Sequence, residues 1–158
     1  VEEKMRVGII VYSKTGNTLS VAERLEKALS SAGHDVEIQK VKVNSDKEGS
    51  TGKLSLISNP DVTPYDAIIF AAPVHAFSLA PAMKLYLGQI ADLSKKKVYG
   101  FVTQQFKKPW LGGNRAIRKL NALCQKKGAE LQDTGIVNWS NSKREKQIEE
   151  LVHKLSNL

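Results

Sequence analysis

The chain has 158 residues, 41% of them hydrophobic and 25% charged, enough for one domain with a packed interior. A formal charge of +8 favours anionic partners, among them nucleic acid, an acidic protein or a phosphorylated cofactor. The single cysteine, Cys124, excludes a disulfide framework, and no apolar run approaches the ~20 residues that a membrane-spanning helix needs.

In chain order, residues 7–12 form a solid apolar run that predicts a strand, and Val21, Leu25, Ala28, Leu29 and Ala32 recur behind it at helical spacing. Val36, Ile38 and, more weakly, Val41 and Val43 mark a second, diluted strand. Residues 44–65, punctuated by Asn44, Gly49, Gly52, Asn59, Pro60 and Pro64, read mostly as loop, with Leu54, Leu56 and Ile57 offering only a poor helix. Residues 67–72 are another solid run, followed by the helical stripe Leu79, Met83, Leu87 and Ile90. Residues 98–102 predict a fourth strand, with Ile117, Leu120 and Cys124 on the helix after it. Leu131 and Ile136-Val137 give a weak fifth strand. Ile148, Leu151, Val152 and Leu155 mark the closing helix, before which Ser142 and Glu145 have capping-box spacing.

Repeated strand-helix units predict an α/β fold, a parallel sheet with helices on both faces. Strands buried on both faces read as solid runs and edge strands as diluted ones. The first, third and fourth strands are therefore central, and the second and fifth are edges. That pattern is a doubly wound, five-stranded sheet of order 2-1-3-4-5 in three layers, one domain over residues 1–158.

Ligands of such sheets bind beyond the strand C-termini where the strand order reverses, here between the first and third strands. The first strand runs directly into Ser13-Lys-Thr-Gly-Asn-Thr18, and a helix begins at once. Gly16 permits a tight turn, the helix N-terminus offers N–H groups and a positive dipole end, and Ser13, Thr15, Asn17 and Thr18 add side-chain donors. Helix capping needs only one such residue, so the cluster reads as an anion loop. Neither G-x-x-x-x-G-K-[ST] nor G-x-G-x-x-G is present, which argues against nucleotide hydrolysis and dinucleotide binding.

The loop Ser13-Lys-Thr-Gly-Asn-Thr18 resembles the [ST]-x-T-G-x-T segment that holds the phosphate of flavin mononucleotide (FMN) in flavodoxins. Ala71-Ala-Pro-Val-His-Ala-Phe-Ser-Leu-Ala-Pro-Ala-Met83 is similar to that family's second flavin loop and following helix. The resemblance implies a flavodoxin-like fold and non-covalent FMN, with Ser13, Lys14, Thr15, Gly16, Asn17 and Thr18 at the phosphate. It implies that Pro73, Val74, His75, Ala76 and Phe77 run beside the isoalloxazine ring. A third loop on the same rim carries Thr103, Gln104, Gln105, Phe106, Trp110, Gly112 and Gly113. Its glutamines are candidates for the pyrimidine edge of the ring, and Phe106 or Trp110 for stacking on it.

His75 is a candidate proton donor near the ring, set against simple packing. Cys124 sits on an apolar stripe and reads as a buried thiol, and no clustered His/Cys pattern indicates a metal. Family members turn over a peptide of the second loop to place a carbonyl at the flavin, a change eased by glycine. Residues 74–78 contain none, and a positive φ at Ala76 would cost roughly 1 kcal/mol or more, which leans toward two-electron behaviour.

The function these residues imply is FMN-dependent electron transfer in the cytoplasm, with redox proteins as partners and neither nucleic acid nor membrane expected. An NAD(P)H-dependent flavin or quinone oxidoreductase is the alternative, and a flavin-free basic adaptor a remoter one. Lysines 95–97, 126, 127 and 154 follow or end helices and read as a solvated lower face. Lys14, Lys107, Lys108 and Arg115 belong to the upper rim, whereas typical flavodoxins are acidic.

Overall fold

Each solid apolar run of the sequence is a strand buried on both faces. The computed structural model describes residues 3–44, 53–106 and 110–158. β1 (Arg6–Val11) exposes only its first residue, β5 (Ala67–His75) is buried through Ala72, and β7 (Lys97–Gln104) is buried beyond Lys97. β2 (Asp35–Lys40) and β8 (Leu131–Asn138) carry the mixed burial of edge strands. These five pair in parallel in the order β2-β1-β5-β7-β8, which is the doubly wound order expected from the sequence.

Helices α1 (Asn17–Ser31), α2 (Pro81–Gln89), α3 (Gly113–Gln125) and α4 (Arg144–Leu155) cover the sheet. Successive residues of a strand point to opposite faces. On one face Val7, Ile9 and Val11 pack with Val21, Leu25 and Leu29 of α1 and Ile148, Leu151 and Leu155 of α4. On the other, Ile10, Ile68 and Phe70 pack with Met83, Tyr86 and Leu87 of α2 and Leu120 and Cys124 of α3. Tyr86 is fully buried, and its hydroxyl donates to the Pro60 carbonyl at 2.6 Å. Burial accordingly raises its pKa.

Three departures from the sequence reading stand out. Val43 is not part of the second strand, which ends at Lys40. It lies in β3 (Lys42–Val43), paired antiparallel with β4 (Leu56–Ser58) as a small ribbon. With Val41, Val62 and Tyr65, Val43 covers part of the α2 face, and Leu54 and Leu56 pack against the same cluster. The segment from β2 to β5 thus supplies a strand as well as loop, and Gly49 and Gly52 lie outside the described residues.

The capping box is also corrected. α4 starts at Arg144 behind Lys143, with no side-chain cap. Asn141 Oδ1 accepts the Lys143 N–H at 2.8 Å just before the helix. The third departure is β6 (Ser78–Leu79), which folds back on β5 at the upper rim and shapes the site described next. Among the described residues, no helix is long and apolar enough to cross a membrane.

Candidate functional site

β1 delivers the chain to the rim at Val11, and residues 13–16 make the turn into α1. Gly16 is the helix N-cap with φ 95°, a left-handed conformation that L side chains resist. A Cβ built there would meet nothing within 4 Å, so the glycine is required by its backbone conformation and the loop faces open space. Ser13 Oγ accepts the N–H groups of Gly16 at 3.1 Å and Leu19 at 3.3 Å, which leaves its own proton directed elsewhere. The N–H groups of Lys14, Thr15, Asn17 and Thr18 meet no protein acceptor among the described residues. A turn of orphaned amides on a helix N-terminus is an anion cradle.

Lys14 and Thr15 are exposed, and Asn17 is half-buried. Thr18 differs from its loop neighbours. It is 1% exposed, and its hydroxyl lies 2.8 Å from that of Thr103 at the end of β7. The loop is therefore fastened to the third rim loop from beneath.

The second loop is a two-residue hairpin. Val74 pairs with Leu79 and His75 with Ser78, leaving Ala76 and Phe77 as the turn. Their φ values of 50° and 61° are both positive, the requirement of a type I′ turn, which usually takes Asn-Gly. Ala76 thus already holds the conformation whose cost the sequence reading set against it. β6 pairs back on β5 and Leu79 and Ala80 are buried, so only a tight primed turn closes the hairpin. Pro73, Val74 and His75 are half-buried below it, and His75 meets the Tyr12 ring edge-on at 6.2 Å. That contact gives His75 a packing role, and the sequence-based idea of an acid gains no further support.

The third loop leaves β7 at Gln104. Gln104 departs from its expected place at the ring edge: it is buried, and its Nε2 donates to Asn138 Oδ1 on β8. Gln105 is exposed, and Phe106 stacks on Phe77 with ring centroids 5.2 Å apart and planes at 10°. Phe77, Phe106 and Trp110 all remain exposed, Trp110 at 69%. Gly112, at φ 121°, sits where a Cβ would come within 2.7 Å of Val74 Cγ1 and 3.0 Å of Phe77 Cα. Gly113 opens α3. The second and third loops are thus packed on each other, and Gly112 makes that approach possible. Lys107 and Lys108 lie outside the described residues.

Sequence reasoning missed a second group of residues. A cleft of about 540 Å³ runs beside the phosphate loop, where Lys40, Lys42, Val43 and Ile57 face Lys14 and Thr15. The β1–β2 pairing sets Lys40 beside Val11 and the β3–β4 pairing adds Ile57, so local pattern held no signal for it. Arg118, one turn beyond Arg115 on α3, was likewise unmarked. Cys124 is buried, and burial pushes its thiol up to about 12, so it carries no chemistry at neutral pH.

A family model described as a flavodoxin domain matches residues 8–138. No curated protein matches the chain. Among solved structures, the chain is similar to Megasphaera elsdenii flavodoxin in its two-electron reduced form, with 23% identity and a TM-score of 0.70 over 96% of this chain and 99% of that one. It is similar to Fusobacterium nucleatum flavodoxin bound to flavin mononucleotide, at 16% identity and TM-score 0.63 over 96% of each chain. A Lactobacillus acidophilus flavoprotein in complex with FMN matches at 21% identity and TM-score 0.62, over 90% of this chain and 98% of that one.

Proposed function

Because the chain belongs to the flavodoxin family, we propose that it holds FMN without a covalent bond and passes electrons through it between redox proteins. One observation carries the reading. The orphaned amides around Gly16 and the aromatic loops at Phe77 and Phe106 converge on one rim, at the switch point between β1 and β5. Two FMN complexes among the similar folds support it.

Bound FMN would supply reversible uptake and release of electrons. The chain's own contribution is positional. Lys14, Thr15, Asn17 and Thr18 present backbone N–H groups to a phosphate around the turn at Gly16, and the Ser13 and Thr15 hydroxyls add donors. Phe77 and Phe106 offer flat apolar faces to a ring system, and Trp110 a third. The single cysteine, buried at position 124, suits a reducing cytoplasm and belongs to the same reading.

The alternative, an NAD(P)H-dependent flavin or quinone oxidoreductase, drew on the cost of a positive φ at Ala76. That conformation is already occupied in the observed hairpin, so the lean toward two-electron behaviour drawn from that cost falls away. Two measurements test the proposal. Flavin absorbance of the purified protein, or after adding FMN, separates it from a flavin-free basic adaptor. Steady-state NADPH oxidation with a quinone separates carrier from enzyme: turnover no faster than free FMN is expected, and saturable turnover would overturn the carrier.

A further inference from the structure

Beside the hairpin tip lies a groove of about 290 Å³ lined by Phe77, Trp110, Gly112, Asn114, Arg115 and Arg118. Among the described residues, none that lines it is acidic. Arg115 and Arg118 are three apart on α3, so their guanidinium groups lie on one helix face, and both are exposed. The other arginines are engaged: Arg6 with Asp35 and Glu37, Arg24 with Glu145, and Arg144 over the Trp139 ring. Arg115 and Arg118 form no ion pair among the described residues. The other three guanidinium groups are held by carboxylates or an aromatic ring, whereas these two stand without an ion pair among the described residues, next to exposed aromatic rings.

We propose that this groove is the docking surface for an acidic protein partner, whose carboxylates pair with Arg115 and Arg118 while its apolar surface covers Phe77 and Trp110. The proposal deepens the electron-transfer reading and rests on it, since the hairpin tip is where the flavin ring would meet a partner. The chemistry favours a protein. Trp and Arg are enriched among residues that dominate protein interfaces, and guanidinium forks pair with carboxylates two bonds at a time. The net charge of +8 would attract an acidic surface during encounter, and the two arginines would orient it at this end. A nucleic acid would call for cations spaced along a backbone-length track, whereas the groove offers two among the described residues, one helical turn apart.

The test uses FMN-loaded protein and two probes, an acidic two-iron plant-type ferredoxin and a lysine-rich c-type cytochrome. Association is followed by stopped flow across an ionic-strength series, for wild type, Arg115→Glu/Arg118→Glu and Arg115→Ala/Arg118→Ala. Wild type should bind ferredoxin fast at low salt and more slowly as salt rises. The Glu variant should bind it at least about tenfold more slowly with little salt dependence, and the Ala variant should fall between. Cytochrome should show the opposite order. FMN affinity should be the same in all three proteins. Equal ferredoxin rates in wild type and both variants overturn the docking surface. Loss of FMN binding in the variants also overturns it, by placing the arginines in the cofactor site. Tighter binding of a single-stranded oligonucleotide than of ferredoxin, abolished in the Glu variant, overturns it in favour of nucleic acid. Failure of wild type to take up FMN overturns instead the cofactor reading beneath the proposal.

Discussion

The hydroxyls of Thr18 and Thr103 meet at 2.8 Å inside the molecule, joining the first turn of α1 to the end of β7. The phosphate loop therefore has two kinds of threonine. Thr18 faces inward and holds the loop in place, while Thr15 is exposed and free to meet a ligand. Removing one hydroxyl of the buried pair strands the other. Thr18→Val and Thr103→Val should each cost about 1–3 kcal/mol of stability, and the double variant much less than their sum. Urea denaturation of the four proteins checks this, and additive losses would show that the pair is not coupled.

Thr15→Ala should leave stability within about 0.5 kcal/mol, because no packing is lost. It should weaken FMN binding about tenfold or more, the worth of one hydrogen bond to a charged group. Calorimetry of FMN binding beside thermal unfolding separates the two effects. A fall in stability with unchanged affinity would exchange the roles given to Thr15 and Thr18.

Ala76 and Phe77 hold left-handed conformations without the residues that favour them. Ala76→Asn supplies the residue that a type I′ turn prefers at its first position and should stabilise the fold by about 0.5–1 kcal/mol. A raised thermal midpoint is the expected result, and a lowered one would mean that Ala76 is not in that conformation in solution.

The central sheet was legible because burial on both faces leaves an unmistakable solid run, as at Ile9-Ile10 and Ile68-Ile69-Phe70. The phosphate loop was legible for a different reason: its hydrogen-bonding residues are contiguous. What stayed hidden depends on contacts distant in sequence. The β3–β4 ribbon needs Val43 to find Leu56, and the inward turn of Gln104 needs Asn138 opposite it in register. The hairpin tip was hidden because Ala-Phe carries none of the usual turn signal, and its fold-back is imposed by the β5–β6 pairing and the Gly112 contact.

Cys124 links burial to pH. Its folded pKa of about 12 lies above its ordinary value of 9.0, so the folded state holds the thiol proton after the unfolded chain has lost it. That contribution is complete below pH ~9 and is lost as pH rises toward ~12. From pH 9 to pH 10 this one group should lower stability by roughly 1 kcal/mol, beside smaller losses from Tyr65, Tyr86 and Tyr99, whose pKa values burial also raises. In Cys124→Ala, less stable at every pH, the decline should be shallower by about that amount, the tyrosine part remaining. An unchanged slope would assign it to other groups.

The loop around Gly16 is assigned to a phosphate, so the most direct measurement compares FMN with riboflavin, which differs from it only by lacking that phosphate. Quenching of flavin fluorescence on titration with the apoprotein gives both affinities. Two or more charge-assisted hydrogen bonds should make FMN bind at least about a hundredfold more tightly than riboflavin. Equal affinities, or no quenching of either flavin, would contradict the assignment of this rim as an FMN site.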